Sequence, residues 1–272
     1  MRGHAAQARA TRGRAALLMC VVIAALQVVP MTSASAYVSC TNYYPTGNYF
    51  DGYYVRPPVA AEGTRATINY EFGNLCDSVN NGSSTYSNNF HYTWVMLENG
   101  NATGGLAQIG YFRPIGGTPR LAAEYDVDAS YSGADFVRTF GTAVGTSANA
   151  TFWVYYNPST GHLDLNYDNH QLSSTPFNPN SKWGSPSNWY SEWFGEVTQK
   201  ASDMPGTSSA RTNFRSMNVQ RWDNDQYTSS IGSPTLRNDK SSPAANLSGS
   251  SYWARTYIYS NGFDIFTVNP QS

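Results

Sequence analysis

The chain has 272 residues, with 17 basic and 18 acidic side chains, and only 13% of its residues are charged. Aromatic residues make up 14%, and this aromatic, weakly charged composition favours strands and turns over helices. It gives no sign of a nucleic-acid-binding protein, which would need a basic surface.

The first 36 residues have the pattern of an export signal. Four arginines precede an almost wholly apolar run over residues 15–29, and a small-x-small cleavage pattern ends at Ala36. The run is too short for a comfortable membrane span. We therefore expect a secreted, extracellular protein with no membrane association after cleavage. The processed chain would keep 13 basic and 18 acidic residues, a formal charge of −5.

Two cysteines, Cys40 and Cys76, remain after this cleavage. In an exported chain such a pair most simply forms one disulfide, with a free reactive thiol as the alternative. A bridge over a loop of this size would contribute roughly 3–4 kcal/mol in the chain-entropy model. Residues 37–60 are rich in Tyr, Gly, Asn and Pro, which predicts an extended N-terminal lead-in before the folded domain.

From residue 61 to residue 272 short apolar or alternating runs follow one another, separated by turn signals such as Gly116-Gly117. The clearest is a hairpin over residues 150–166. No stretch has a sustained helical period. This pattern predicts a single all-β domain over residues 61–272, built as an antiparallel two-sheet β-sandwich. Residues 175–188 contain three prolines and predict a long irregular loop.

Several familiar catalytic patterns are absent, among them the serine nucleophile elbow, the zinc-binding His-Glu-x-x-His and the phosphate-binding loop. His162 and His170 flank Asp164 and Asp168, which makes a metal site conceivable, but the spacing matches no metal-binding pattern. We therefore predict no metal and no cofactor.

The best candidates for chemistry lie in two strand-like runs. Alternation along residues 192–198 puts Glu192, Phe194 and Glu196 on one face, and Trp193 and Gly195 on the face towards the core.

Alternation along residues 106–112 separates Gln108, Gly110 and Phe112 from the core-facing Ala107 and Ile109. Each strand thus places a polar side chain beside an aromatic one, as in a substrate groove with aromatic walls. Alternation alone is also expected of any half-exposed sheet, so the pattern by itself leaves a purely structural interpretation open.

These two strands resemble those of the glutamic peptidases. The Ala-Gln-Ile-Gly of residues 107–110 and the Trp-Phe-Gly-Glu of residues 193–196 are similar to the Leu-Gln-Thr-Gly and Trp-x-x-Glu strands of the eqolisins. Residues 192–197, 203–207 and 214–220 also resemble, in order, strands and a turn of neprosin-type chains. The resemblance covers roughly residues 90–225.

The resemblance implies a sandwich of the jelly-roll or concanavalin-like type and a secreted endopeptidase that acts at acidic pH. Glu196 matches the general base that activates a water, and Gln108 matches the amide that donates to the oxyanion. Phe112, Phe194, Glu124 and Trp189 are predicted to bind the substrate, a polypeptide. We expect the protein to be a monomer.

Two other functions remain open from the residues. A glycoside hydrolase of jelly-roll type would use Glu196 or Glu192 with Glu124 as its pair of carboxylates. A non-catalytic carbohydrate- or surface-binding sandwich would stack its ligand on tryptophans. The candidates for that role are Trp153, Trp183, Trp189, Trp193, Trp222 and Trp253.

Overall fold

Strands dominate the computed structural model of this protein. It describes residues 37–38, 46–56, 60–71, 75–76, 90–100, 104–114, 117–128, 136–199, 204–232, 235–237, 253–256 and 261–267. All of these lie in one compact unit, Ser35–Ser272. The predicted signal segment lies outside the described residues. So does Cys40, and Cys76 is described only by its backbone, so the disulfide stays a prediction.

The first sheet has seven strands within the described residues, all paired antiparallel. In spatial order they are β15 (Thr235–Arg237), β2 (Thr46–Val55), β12 (Trp189–Gln199), β5 (Phe90–Asn99), β6 (Leu106–Pro114), β7 (Arg120–Asp126) and β8 (Val137–Ala143).

The second sheet has eight described strands, also antiparallel. Its order is β11 (His170–Ser174), β10 (His162–Tyr167), β9 (Ser147–Asn157), β3 (Ala61–Glu71), β13 (Thr212–Arg221), β17 (Phe263–Thr267) and β16 (Trp253–Arg255), and β14 (Tyr227–Thr228) pairs with β13. A separate parallel pair joins β1 (Tyr37–Val38) to β4 (Leu75–Cys76).

The two sheets pack face to face, which confirms the predicted all-β sandwich. Strands β3 and β9 of the second sheet contact β5 of the first, and β9 also contacts β6. The main apolar core between them takes alternate residues of each strand, such as Ile109 and Trp193 from one sheet and Ile68, Phe152 and Phe214 from the other. Alternation with a period of two is what allows one face of a strand to be buried in this core.

Two segments differ from the sequence-based expectation. The predicted lead-in over residues 37–60 contains β2, a ten-residue strand paired on both sides, with β12 and with β15. The glycine- and tyrosine-rich composition of this segment does not indicate a strand. Its partner β12 lies more than 130 residues away in sequence, so no local pattern reveals the pairing. The predicted irregular loop over residues 175–188 contains the short helix α1 (Pro179–Lys182) and a 3₁₀ turn (Pro186–Asn188).

The local sequence explains both turns. The side chain of Asn178 accepts hydrogen bonds from two backbone amides at the start of α1, and Pro179 occupies the first helical turn. Ser185 caps the 3₁₀ turn in the same way. The 3₁₀ turn leads directly into β12, whose outer face carries Glu196.

Candidate active site

Glu196 lies on β12 and faces away from the main core, as predicted. Its Oε2 accepts a hydrogen bond of 2.7 Å from Nε1 of Trp94 on the neighbouring strand β5. Glu196 is 6% exposed and Trp94 is fully buried. A charge-assisted bond inside such an apolar surrounding fixes the orientation of the carboxylate.

The surroundings of this carboxylate are aromatic. The ring of Tyr92 stacks on Trp94 with centroids 4.4 Å apart and planes 20° from parallel. Phe194 on β12 is buried and meets Phe50 edge-to-face at 5.3 Å. These rings belong to a second apolar cluster, on the opposite face of the seven-stranded sheet from the main core.

Gln108, Glu124 and Arg138 form a hydrogen-bonded chain across three adjacent strands, β6, β7 and β8. Nε2 of Gln108 donates to Oε1 of Glu124 at 3.1 Å, and Nε of Arg138 lies 2.6 Å from Oε2 of Glu124. The strand register places the three residues directly opposite one another. Both oxygens of one buried carboxylate are thus bound, one by an amide and one by a guanidinium.

The pKa of Glu124 is raised above its usual value of 4.5, chiefly because burial penalises the charged carboxylate. The charge of Arg138 and the hydrogen bonds from Arg138 and Gln108 oppose this shift, and the negative charge of Asp126 adds to it. Since the side chain of Glu124 is only 3% exposed, its protonation state depends strongly on Arg138.

Gln108 and Glu196 share one sheet face without being cross-strand neighbours. Glu196 is paired with Tyr92 and Gln108 with Met96, four positions apart on β5. At a rise of about 3.3 Å per residue, this offset corresponds to about 13 Å along the strand direction. In the structure Glu196 therefore contacts Trp94, and Gln108 contacts Glu124. The cross-strand pair of Trp94 and Gly110 lies midway between Glu196 and Gln108 along the strands.

Gly110 allows an unusually close approach of β6 to β5. A Cβ atom built on Gly110 would lie 1.7 Å from the carbonyl oxygen of Thr93. Gly52, in the same cross-strand row, would place a Cβ 2.2 Å from the carbonyl oxygen of Trp193. Glycine within a strand marks such close approaches and bends, and any side chain at either position would push the strands apart.

On this face, residues of β8 are more exposed to solvent than Gln108 on β6. Gln108 is 4% exposed, whereas Phe140 is 43% exposed and the side chain of Arg138 is 32% exposed. The guanidinium carbon of Arg138 lies 5.5 Å from the ring centre of Tyr92 and 5.3 Å from that of Phe136. Arg138 therefore extends from the solvent-exposed rim to the buried Glu124.

The other predicted substrate-binding residues have mixed positions. Phe112 and Phe194 lie on the predicted face, in or against the second apolar cluster. Trp189 does not: it is fully buried in the main core, edge-to-face with Trp183 at 5.5 Å. Its position at the first residue of β12 gives it the same parity as Trp193, and that parity points it between the sheets.

Three of the six tryptophans proposed for stacking on a sugar are buried in packing contacts. Trp183, Trp189 and Trp193 are buried in the main core, and Trp222 is 42% exposed. Trp153 lies half-buried, and the side chain of Trp253 is outside the described part of the chain.

The histidines and aspartates around residues 162–170 do not form a metal site. Asp164 accepts hydrogen bonds from Asn157, Gln171 and Ser174, and Asp168 accepts one from the backbone of Thr151. Across the described ranges no group of three or more His, Cys, Asp or Glu side chains could hold a metal ion. Nor does any described helix have the length and apolar character to cross a membrane.

Trp94 and Arg138 were not identified as functional residues from the sequence. Nothing in the local sequence of Trp94 distinguishes an indole that donates to a carboxylate from one that only packs. Arg138 is a lone cation in a short aromatic run, and only its register opposite Glu124 reveals its partner. A sequence signal would have required knowing which strands pair.

This fold is a glutamic peptidase-like β-sandwich. Scytalido-glutamic peptidase in complex with a peptide-based transition-state analogue is similar to it with a TM-score of 0.50 at 13% identity, over 82% of this chain and 100% of that one. The same peptidase with a transition-state analogue inhibitor gives a TM-score of 0.51 at 12% identity, with the same coverage. No family model and no curated protein matches the sequence. At this identity the likeness establishes the fold.

Proposed function

We propose that this chain is a secreted, acid-acting glutamic-type endopeptidase, in which Glu196 is the general base and Gln108 is the oxyanion donor. The observation that carries the proposal is the Glu196 carboxylate, oriented by the Trp94 indole on the same sheet face as the Gln108 amide. The fold likeness supports it, and polypeptide is the proposed substrate.

In the proposed reaction Glu196 takes a proton from a water molecule, and the water oxygen attacks the carbonyl carbon of the scissile peptide bond. The carbonyl oxygen becomes an oxyanion. Glu196 then passes the proton to the amide nitrogen as the C–N bond breaks, which yields a carboxylic acid and an amine. The bond from Trp94 fixes one carboxylate oxygen of Glu196 throughout.

Gln108 stabilises the negative charge that develops on the carbonyl oxygen. A carboxamide has two N–H groups, and one of them donates to Glu124. The proposal requires the second to donate to the carbonyl oxygen of a substrate that lies across Gly110, midway between Gln108 and Glu196 along the strands. A preorganised donor of this kind typically contributes ~10²–10³ in rate.

Acid action follows from the use of a carboxyl group for proton transfer. A general base works best near its own pKa, and carboxyl groups titrate in the acid range. The environment of Glu124 argues against the glycoside hydrolase scheme, in which it would be a free acid or nucleophile, because both of its oxygens are bound by Gln108 and Arg138.

The test is digestion of casein between pH 3 and pH 7 by the wild type and three variants. We expect Glu196→Gln to abolish cleavage and Gln108→Ala to reduce it by ~10²–10³. Glu71→Gln is the matched control, since it neutralises a partly exposed glutamate of the other sheet whose partner is Ser147. Equal activity in all four proteins would refute the proposal. Secretion is tested separately, by N-terminal sequencing of exported protein for a start at Tyr37.

A further inference from the structure

We infer that Arg138 is a positioning residue that acts through Glu124 to hold the amide of Gln108 in the orientation required for an oxyanion donor. This rests on the proposed function and extends it to two residues outside the Glu196–Gln108 pair. The inference is based on two hydrogen bonds to Glu124. Nε of Arg138 donates to its Oε2 at 2.6 Å, and Nε2 of Gln108 donates to its Oε1 at 3.1 Å.

An amide side chain has two orientations that differ by exchange of its oxygen and nitrogen. Only the orientation in which Nε2 of Gln108 faces Glu124 can donate one N–H to Glu124 and the other to a substrate oxyanion. A carboxylate accepts hydrogen bonds and cannot donate them, so Glu124 selects the donor orientation of Gln108 as long as it is ionised. A protonated Glu124 or a glutamine at this position would accept either orientation.

Arg138 favours the ionised form of Glu124 and so extends its ionised range to lower pH, at a place where burial raises the pKa of this carboxyl above its usual value. The side chain of Glu124 is 3% exposed and that of Arg138 is 32% exposed, so the cation remains partly hydrated while the anion does not. A buried carboxylate without a partner would take up a proton. The groups that face Glu124 are Gln108 on β6, Arg138 on β8 and Tyr92 on β5, with Asp126 on its own strand.

Arg138 also lies near enough to Glu196 for the two charges to interact. A direct effect on the general base would lower activity just as a loosened amide would. A double-mutant cycle with Gln108 separates these two routes, because an effect transmitted through Glu124 disappears once Gln108 is gone.

The experiment measures kcat and KM on one peptide substrate for Arg138→Gln, Arg138→Lys and Glu124→Gln, each in the wild type and in Gln108→Ala. We expect Arg138→Gln to lower kcat about tenfold with KM within about twofold, a smaller loss than removal of the donor itself. Arg138→Lys, which keeps the cation, should recover most of kcat. In the Gln108→Ala background Arg138→Gln should have no further effect.

The pH profile gives a second readout that a purely structural role would not change. Because Arg138 lowers the pKa of Glu124 against the effect of burial, its removal raises that pKa further. The acid limb of kcat should therefore move to higher pH in Arg138→Gln. Arg120→Gln is the matched control: this arginine lies on the same face against the ring of Phe140, at 5.9 Å, and should leave kcat and its pH profile unchanged.

A third readout does not need enzymatic activity. The side-chain NH₂ resonances of Gln108, assigned by their loss in Gln108→Ala, should shift in Arg138→Gln and Glu124→Gln and stay in place in Arg120→Gln. If the wild type cleaves no peptide, the proposed function fails and these resonances still decide the inference. Unchanged resonances, or an equal loss of kcat from Arg138→Gln with and without Gln108, would overturn it.

Discussion

At the scale of single residues, the environment of Glu196 departs from that of an ordinary surface carboxylate. It is 6% exposed, it lies among aromatic rings, and its bond of 2.7 Å comes from an indole, a donor that cannot change its protonation state. Trp94 therefore orients the carboxylate without neutralising it. The same ring, stacked on Tyr92, is itself held in place.

Trp94→Phe isolates this contribution, because phenylalanine keeps an aromatic ring against Tyr92 and removes the N–H. A hydrogen bond to a charged group contributes about 1.5–3 kcal/mol, so kcat/KM should fall roughly tenfold to a hundredfold. Steady-state kinetics measures the loss. Trp183→Phe is the control, since it removes a 3.0 Å bond from another indole to the backbone of Val127 in the main core and should leave kcat unchanged. Activity of Trp94→Phe equal to that of the wild type would contradict this role.

At the scale of elements, alternation predicted which residues of β6 and β12 face the core. Ala107, Ile109 and Trp193 are in the main core, while Phe194 and Gln108 are on the opposite face, as expected. The side-chain period of two is a local property, so a single strand is enough to read it.

Register was not predictable in the same way. The contacts of Glu196 with Trp94 and of Glu124 with Arg138 depend on which residues of distant strands lie opposite one another. The first joins residues 102 positions apart in sequence. No local pattern specifies such pairing, and β2 was missed for the same reason.

The lack of a side chain at Gly110 allows β5 and β6 to approach each other closely. Gly110→Ala would place a methyl group against the backbone of Thr93, where no flexible side chain can yield, and should destabilise the fold by about 3 kcal/mol. Chemical denaturation measures this. The matched control is Gly145→Ala in an exposed turn, where the nearest atom is 3.3 Å away, and we expect a change of about 0.5 kcal/mol or less. Equal stability of the two variants would contradict the close approach.

At the scale of the whole molecule, one buried carboxyl links stability to pH. Glu62 on β3 is 1% exposed, and burial together with a hydrogen bond to Asp225 raises its pKa from 4.5 to about 9. Between these two values the folded protein holds a proton that the unfolded chain has lost. The free energy of unfolding is therefore highest below pH 4.5 as far as this group is concerned, and it decreases as pH rises towards 9.

Glu62→Gln should remove this dependence, because glutamine is neutral at every pH. Between pH 5 and pH 8 the wild type should lose up to about 1.4 kcal/mol of stability per pH unit from this group, and the variant should show a correspondingly smaller slope. Denaturant unfolding at four pH values gives both slopes. Glu71→Gln, a partly exposed position on the same strand, should keep the wild-type slope. An unchanged slope in Glu62→Gln would show that Glu62 is ionised in the folded protein.

Strand β12 carries the packing of the sandwich and the candidate chemistry on successive residues. Trp193 and Val197 belong to the core, while Phe194 and Glu196 belong to the opposite face. Inserting or deleting one residue upstream of Trp193 within this strand would exchange the two sets, burying a glutamate in the core and turning a tryptophan outwards. Length changes here are therefore compatible with both stability and activity only in steps of two, and natural or engineered variants of this strand should differ by even numbers of residues.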